Sequence, residues 1–352
     1  SSRRRHTRSL VPSRGLGDVY KRQVFYNVVD HATRPHKLFR HRLGSKPADD
    51  ELVFHEEDER FFLSVRRSKS GRYLFIHLGS NTTDEEWFLD ADAPDKAPQL
   101  IQARRQGVEY QVDHHRAAAG DDFYVLTNDE AEDFRLMRTA AATPARDHWT
   151  DVIPHRPGEK LDSIELFAHH LVLYMRSDGL RRIRIYDLRA GDPWQGEAVH
   201  TIDFPEEVYT VNRQANPVYD GTTLRFVYSS LTTPPAVFDY DMATRARELQ
   251  KAEPVPGYQP DEYTTRRIWA TAADGVRIPV SLVHRKDVTL RPATPCLLYG
   301  YGAYGACIDP GFRRNVISLL DRGFSFAIAH IRGGGEMGRA WYEDGKLLRK
   351  RN

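Results

Sequence analysis

Apolar runs separated by polar loops recur along the chain at an almost constant spacing. The most apolar of them begin at residues 24, 73, 123, 171 and 224, with separations of 49, 50, 48 and 53 residues. Each is followed by a polar loop and a further strand-like run, and the last four are also preceded by one. A fixed period near fifty residues with several strands per period is typical of β-propeller blades. The pattern predicts about five blades and no helix between residues 24 and 250.

A different pattern begins at residue 295. Residues 295–299 form a short apolar run between a proline and a glycine, which is typical of a buried strand. Asp309 and Pro310 have the order of an N-cap and a first helical residue, and the apolar positions 312, 316, 319 and 320 then follow a helical spacing up to Gly323. Residues 324–331 are a second strand-like apolar run. Strand, helix and strand with short links predict a right-handed crossover between parallel strands.

Prolines and a glycine interrupt the pattern between these two regions, at residues 253–263. Beyond them, the run RRIWATAADGVRIPVSLVHR predicts two strands joined by a turn at Asp274 and Gly275. We therefore predict a partial β-propeller domain at residues 24–255 and the start of an α/β domain at residues 256–352.

The C-terminal region resembles the prolyl oligopeptidase family of serine peptidases, and most of all its oligopeptidase B branch. The stretches LLYGYGAYG and SLLDRGFSFAIAHIRGGGEMGRAWYEDGKLL carry this resemblance, which is specific over roughly residues 260–350 and weaker but continuous upstream. It implies a seven-bladed β-propeller that precedes and caps an α/β-hydrolase domain. The implied activity is the hydrolysis of short peptides after Arg or Lys by a Ser-His-Asp triad.

The triad that this activity requires is not visible in the sequence. In α/β-hydrolases the nucleophile lies in a G-x-S-x-G turn that precedes the acid and the histidine, and no such motif occurs here. The nearest approach centres on Ser325, lacks the second glycine and lies in a predicted buried strand. The last histidine, His330, is predicted to be a core residue. We therefore expect that the chain is truncated at both ends, that it stops before the nucleophile, and that it is inactive by itself.

One catalytic contributor is implied by the resemblance. The family places an oxyanion-stabilising phenol at the second tyrosine of a YGYG sequence, which is Tyr301 here. The chemistry is suitable because a tyrosine with a pKa of about 10 keeps its proton at neutral pH and can donate a hydrogen bond to a tetrahedral alkoxide. The alternative role for Tyr301 is packing between its neighbouring glycines.

Two glycine motifs fit the dinucleotide-binding pattern G-x-G-x-x-G, at residues 300–305 and 333–338. The first is not followed directly by a helix, and the second would place Glu336 beside a pyrophosphate, which electrostatics disfavours. We instead predict a tight turn at residues 332–336 whose charges help to fix loops at the propeller–hydrolase interface, with direct substrate contact as the alternative.

Metal binding is also not indicated by the sequence. The adjacent histidines 114–115 and 169–170 are predicted to point to opposite faces of strands, and there is no HExxH motif. The acidic run at residues 56–59 is predicted to be a solvated loop. The sequence thus predicts no metal and no cofactor.

Charge changes the interpretation of the N-terminus. Residues 1–23 have no strand or helix periodicity and contain seven Lys or Arg and one acid, Asp18. The rest of the chain has 44 basic and 48 acidic residues, a net charge of −4. The segment resembles translated sequencing-adapter sequence, and we predict that it is not native. A nucleic-acid-binding arm, a nuclear signal or a scar left by cloning are the alternatives.

The remaining composition limits the function classes. The chain has two cysteines, too few for a disulfide framework, and Cys296 is predicted to be a small core residue. No run of eighteen apolar residues predicts a membrane span. We expect a cytoplasmic monomer that acts on short peptides and binds neither nucleic acid nor membranes. The alternatives are a non-catalytic propeller that binds peptides or proteins, and a post-proline or acylaminoacyl peptidase of the same architecture.

Overall fold

Strands dominate the structure, a computed structural model that describes residues 23–117 and 120–350. Within these ranges there are 23 strands in six sheets and two short α-helices. The described residues divide into two compact units, residues 23–130 with 135–154, and residues 131–134 with 155–350. The first three sheets belong to the first unit and the last three to the second.

The first unit contains three antiparallel sheets whose strands are adjacent in chain order. The first sheet has three strands, β1 (Gln23–Val29), β2 (Pro35–Arg42) and β3 (Glu51–His55). The second has four, β4 (Phe62–Arg67), β5 (Tyr73–Gly79), β6 (Asp84–Asp90) and β7 (Gln99–Gln102). The third also has four, β8 (Tyr110–Ala117), β9 (Gly120–Thr127), β10 (Arg135–Ala140) and β11 (Thr150–Ile153).

The second unit begins with two further four-stranded antiparallel sheets of the same kind. The fourth sheet consists of β12 (Glu159–Leu166), β13 (His170–Ser177), β14 (Leu180–Asp187) and β15 (Val199–Thr201). The fifth consists of β16 (Tyr209–Arg213), β17 (Thr223–Ser230), β18 (Ala236–Asp241) and β19 (Arg247–Ala252).

These sheets confirm the repeat that the sequence predicts. Four of the five most apolar runs are the second strands of four-stranded sheets, β5, β9, β13 and β17, and the fifth is β1. The burial of β13 explains the signal, since seven of its eight residues are buried. The last strand of each sheet was not predicted. The described part of residues 24–250 contains no α-helix, as expected.

Apolar side chains between neighbouring sheets form the cores. In the first unit, Phe75, Phe123 and Val125 are fully buried in a cluster shared by the second and third sheets. In the second unit, Ile183, Leu224 and other buried side chains form a cluster between the fourth and fifth sheets. Each of these cores is shared by two adjacent sheets, so single blades depend on their neighbours for a core.

The acidic run at residues 56–59 is only partly solvated, which corrects the prediction of a solvated loop. Glu56 is buried, accepts a hydrogen bond from the backbone N–H of Asp58, and is paired with Arg104 at 2.5 Å. A carboxylate can be buried when a guanidinium and an amide satisfy its oxygens. The partner lies 48 residues further along the chain, so the run itself gives no sign of it.

The sixth sheet is mixed and has the order β20-β21-β23-β22. The strands β20 (Tyr263–Thr271) and β21 (Arg277–Arg285) form the predicted hairpin, with Gly275 at a φ of +86° in its turn. The strands β22 (Cys296–Tyr299) and β23 (Ser325–Ala329) are parallel, as predicted, and α1 (Arg314–Leu320) connects them. Val316 and Leu320 of α1 pack against Phe326 and Ile328 of β23. The second helix is α2 (Arg339–Glu343).

Two sequence predictions in this region are wrong. Strand β22 is not buried: all four residues are exposed, including Cys296, because β22 is the edge of its sheet within residues 263–350. Asp309 is not an N-cap, since α1 starts five residues later and Arg313 holds that position. The Asp309 carboxylate instead binds two guanidinium groups, of Arg176 and Arg181.

The core between the fourth and fifth sheets should dominate the stability of the second unit. Leu224→Ala removes a fully buried side chain and should lower the free energy of unfolding by about 2–5 kcal/mol. Leu249→Ala is the matched control, since Leu249 lies in the same sheet but is 53% exposed, and should change it by about 0.5 kcal/mol or less. Urea unfolding followed by tryptophan fluorescence measures both. Equal losses would contradict this assignment of the core.

Candidate active-site loop

The candidate site lies in the loop that follows β22. Gly302, Tyr304 and Gly305 have positive φ angles of +56°, +57° and +66°, so the loop turns sharply after Tyr301. Tyr301 is 46% exposed. Among the residues that the structure describes, its hydroxyl has no hydrogen-bond partner, and the side chain is therefore open to a ligand. The structure places Tyr301 where the strand ends, as the sequence predicts, and does not test its role.

The turn at residues 332–336 holds this loop in place by direct backbone contact. The Gly305 N–H donates a 2.9 Å hydrogen bond to the Gly333 carbonyl, and the Gly333 N–H donates one of 2.9 Å to the carbonyl of Trp341. A Cβ atom on Gly333 would lie 2.2 Å from the Gly302 carbonyl oxygen, and one on Gly302 would lie 2.7 Å from the Arg332 carbonyl oxygen. Only glycine permits two backbone segments to approach each other so closely.

These contacts account for both literal matches to the dinucleotide-binding pattern. Gly302 of the first motif and Gly333 and Gly335 of the second approach the backbone of the other loop too closely for a side chain. The Lys350 ammonium group also donates to the Gly302 carbonyl. The structure thus confirms the predicted tight turn and gives the glycines a packing role.

Charged side chains complete the attachment of the turn. Glu336 is 3% exposed, and its Oε1 accepts a 2.9 Å hydrogen bond from the backbone N–H of Ile308. The Arg332 guanidinium donates to Asp274 in the β20–β21 turn at 2.5 Å. Both charges therefore fix neighbouring loops of the hydrolase part, and neither of these two contacts reaches the propeller part.

A polar network below the turn was not predicted. Arg267 of β20 donates to the Ser281 hydroxyl at 2.9 Å, and the same hydroxyl lies 2.8 Å from Nε2 of His330. His330 is fully buried, which confirms its prediction as a core residue, and its Nδ1 lies 3.8 Å from Glu336. Burial lowers the pKa of Arg267 to about 10. The alternation of side chains along β20 and β21 predicts which face of the sheet each one occupies. No sequence motif indicates that these side chains form a network.

The remaining predicted positions are structural. Ser325 is buried in β23 and its hydroxyl is 3.4 Å from the Pro295 carbonyl, so it lies away from the loop surface. His114 is fully buried against Ser70 and Asp121, and burial lowers its pKa to about 4. His169 lies outside the strands, directly before β13, and is exposed, whereas His170 is the first residue of β13 and is buried. Residues 23–117 and 120–350 contain no group of three or more potential metal ligands.

Two family models match the chain on either side of the predicted domain boundary. The model described as "Prolyl oligopeptidase, N-terminal beta-propeller domain" matches residues 20–253, and the model described as "Prolyl oligopeptidase family" matches residues 310–352. The chain belongs to the prolyl oligopeptidase family. Its fold is accordingly a β-propeller followed by the N-terminal part of an α/β-hydrolase domain.

Relatives within the prolyl oligopeptidase family match almost the whole chain. Dipeptidyl aminopeptidase BI of Pseudoxanthomonas mexicana is 37% identical over 94% of this chain and 44% of its own length, and Protease 2 of Moraxella lacunata is 36% identical over 94% and 46%. Oligopeptidase B from Trypanosoma brucei, solved with covalently bound antipain, superimposes with a TM-score of 0.85 at 36% identity, over 94% of this chain and 47% of that one. The chain spans a little less than half the length of these relatives.

None of the helices in the described part of the chain combines the length and the apolar character that a membrane crossing requires. The predicted non-native segment falls almost entirely on residues 1–22, which lie outside the described residues, and Gln23 is already part of β1.

The backbone contact between the two glycine loops can be tested with one methyl group. Gly302→Ala combines a positive φ with a clash against the Arg332 carbonyl. Gly275→Ala is the matched control, because Gly275 also has a positive φ but has open space around it. The control should lose about 1–2 kcal/mol of unfolding free energy, and Gly302→Ala should lose clearly more. Urea unfolding of both variants measures the difference, and equal losses would show that the loops do not touch.

Proposed function

We propose that the protein encoded by this sequence is a serine peptidase that hydrolyses short peptides after Arg or Lys. The observation that carries the proposal is the loop after β22 in a chain of the prolyl oligopeptidase family: an exposed Tyr301 phenol without a partner among the described residues, on a backbone held rigidly by a second loop. In this role Tyr301 donates a hydrogen bond to the oxyanion that forms when the scissile carbonyl is attacked.

The position of Tyr301 suits this role physically. An oxyanion donor is effective when it is fixed before the reaction, so that no reorganisation is needed as charge develops. The glycine contacts restrain the backbone on both sides of the loop, whereas the phenol itself makes no competing hydrogen bond to any described residue. A free hydroxyl on a restrained loop has the properties that such a donor needs.

The nucleophile, the general base and its orienting acid are proposed to lie in the part of the relatives' length that this chain does not cover. Ser325 is buried and bonded to a backbone carbonyl, and the buried His330 faces Ser281 and Glu336. Neither side chain is exposed to a substrate. The 352 residues by themselves would therefore lack hydrolytic activity.

The preference for Arg or Lys is supported by the similarity to oligopeptidase B, whose structure from Leishmania major superimposes with a TM-score of 0.84 at 32% identity over 94% of this chain and 46% of that one. The proposal includes a domain boundary at residues 255–256, which lies between the two family matches. It also includes a cytoplasmic monomer, with which two free cysteines are compatible.

An active-site fluorophosphonate probe tests the proposed reaction. We expect the probe to label a single serine in the product of the complete gene and no residue of the 352-residue chain. The labelled enzyme should lose cleavage of Arg-containing peptides, and the unlabelled enzyme should cleave them faster than Pro-containing ones. Absence of labelling in the complete product would favour a propeller that only binds peptides, and faster cleavage after Pro would contradict the proposed specificity.

The role of Tyr301 is tested in the same complete protein. Tyr301→Phe removes only the hydroxyl and should lower kcat by about 10²- to 10³-fold, since one oxyanion donor contributes about 3–4 kcal/mol. Tyr304→Phe is the matched control, because Tyr304 belongs to the same loop and is 87% exposed; its kcat should not change. The substrate KM should change little in both variants. A Tyr301→Phe enzyme with full kcat would leave the tyrosine a packing role alone.

A further inference from the structure

A cavity of about 360 Å³ lies in the second unit, between strands of the fourth and fifth sheets and the loop before α1. Four arginines line it, together with one carboxylate and a thiol: Arg176, Arg181, Arg182, Arg213, Asp162 and Cys307. The predicted active-site residues are not among them, and neither the proposed reaction nor the family matches account for this cluster of positive charge.

Two of the arginines pair with carboxylates and so stabilise the fold. Arg176 is 3% exposed at its side chain and holds Asp309 with two contacts, at 2.8 and 3.2 Å, while its Nε lies 3.4 Å from Asp162. Arg181 shares Asp309, with Nε at 2.8 Å, and donates to Asn212 at 2.8 Å. These contacts hold the guanidinium groups in fixed positions at the cavity wall.

The other two arginines keep donors free. A guanidinium has five N–H donors. Arg182 uses one nitrogen, to donate to the Tyr209 hydroxyl at 3.0 Å, and no carboxylate of the described residues lies within 4 Å of it. Arg213 places its Nε 3.3 Å from Glu165. With Lys160, which pairs with Asp162, five cations of the described residues face four carboxylates, Asp162, Asp309, Glu165 and the Glu336 that lies near Cys307, and one positive charge remains.

We propose that this cavity is a binding site for a carboxylate or phosphate oxyanion, with Arg182 as its principal ligand. Planar guanidinium forks match both groups in geometry and charge. Tyr174, Met175 and Val211 add apolar wall to the cavity, so the carbon skeleton of a small organic anion also fits. A water occupies about 30 Å³ in the liquid, and the cavity has room for an anion together with bound water. The site does not depend on the proposed peptidase reaction, because binding is a property of the 352-residue chain itself.

The thiol in the cavity wall provides the readout. The chain has only two cysteines, and the Cys296→Ser variant leaves Cys307 as its only thiol. Burial raises the pKa of Cys307, so an alkaline pH is needed to form the thiolate that reacts. Its alkylation by neutral iodoacetamide is therefore followed by mass spectrometry at one fixed alkaline pH. We expect an oxyanion in the cavity to slow this alkylation several-fold and saturably, with sodium chloride of equal ionic strength as the control.

Three probes separate the sources of the anion: inorganic phosphate, an N-acetylated dipeptide with a free carboxylate, and the same dipeptide as its amide. Protection by the dipeptide acid and not by the amide would identify a peptide carboxylate, and protection by phosphate alone would identify a phosphate-bearing ligand. Either result supports the site. Equal rates with all three probes and with chloride would overturn it.

Substitution of Arg182 tests whether the protection of Cys307 comes from binding in the cavity. In the Cys296→Ser background, Arg182→Gln should weaken protection roughly 10- to 100-fold, as expected for a lost charged hydrogen bond. Arg225→Gln removes the same charge from the exposed pair with Asp239 in the fifth sheet and should leave protection unchanged. Arg182→Lys keeps the positive charge but loses the planar array of guanidinium donors. This variant replaces Arg182→Gln in the experiment if Arg182→Gln unfolds. Full protection in both Arg182 variants would overturn the assignment.

Discussion

The contact between two glycine loops is the constraint on which the candidate site depends. The carbonyl of Gly302 occupies the space that a side chain on Gly333 would need, and a Cβ on Gly345 would lie 2.0 Å from the Gly333 nitrogen. Three stretches of backbone thus meet without side chains between them. Such packing leaves the loop no alternative path, because any displacement would break hydrogen bonds and create overlap at once. These backbone contacts, which hold the loop in place, therefore also determine the position of Tyr301.

A second constraint joins the hydrolase part to the propeller part within the second unit. Asp309, just before α1, accepts from Arg176 of β13 and lies 2.8 Å from Arg181 of β14. Removing one partner of such a buried pair leaves an uncompensated charge, which is far more costly than the exposed N-cap contact that Asp309 would otherwise make. This difference explains why the helix starts at Arg314 and not at Pro310.

The sequence predicted the parts of the fold whose burial is periodic. Strands such as β13 and β23 are apolar along their length, and the parallel pair with its connecting helix followed from them. The strand β19 was missed because all six of its residues are exposed and carry no apolar pattern. The predictions for Glu56 and Cys296 are wrong because neither depends on the local sequence. Glu56 is buried because it pairs with the distant Arg104, and Cys296 is exposed because β22 lies at the edge of its sheet within the described residues. Only the family resemblance indicates the candidate site, since the residues around Tyr301, at 299–306, are glycines, tyrosines and alanines without a catalytic motif of their own.

The arginines of β14 show how charge separates structural from functional positions. Arg184 lies 3.1 Å from Glu159 and Arg181 lies 2.8 Å from Asp309, so each balances a carboxylate that the fold has placed nearby. Among the described residues, Arg182, which lies between them in sequence, contacts the Tyr209 hydroxyl at 3.0 Å and the face of the Tyr209 ring at 5.9 Å, and no carboxylate within 4 Å. A guanidinium always carries its charge, so a half-buried one without a carboxylate partner is stabilised by contact with water or an anion. The cavity beside Arg182 provides that access, and its surplus of positive charge favours the anion.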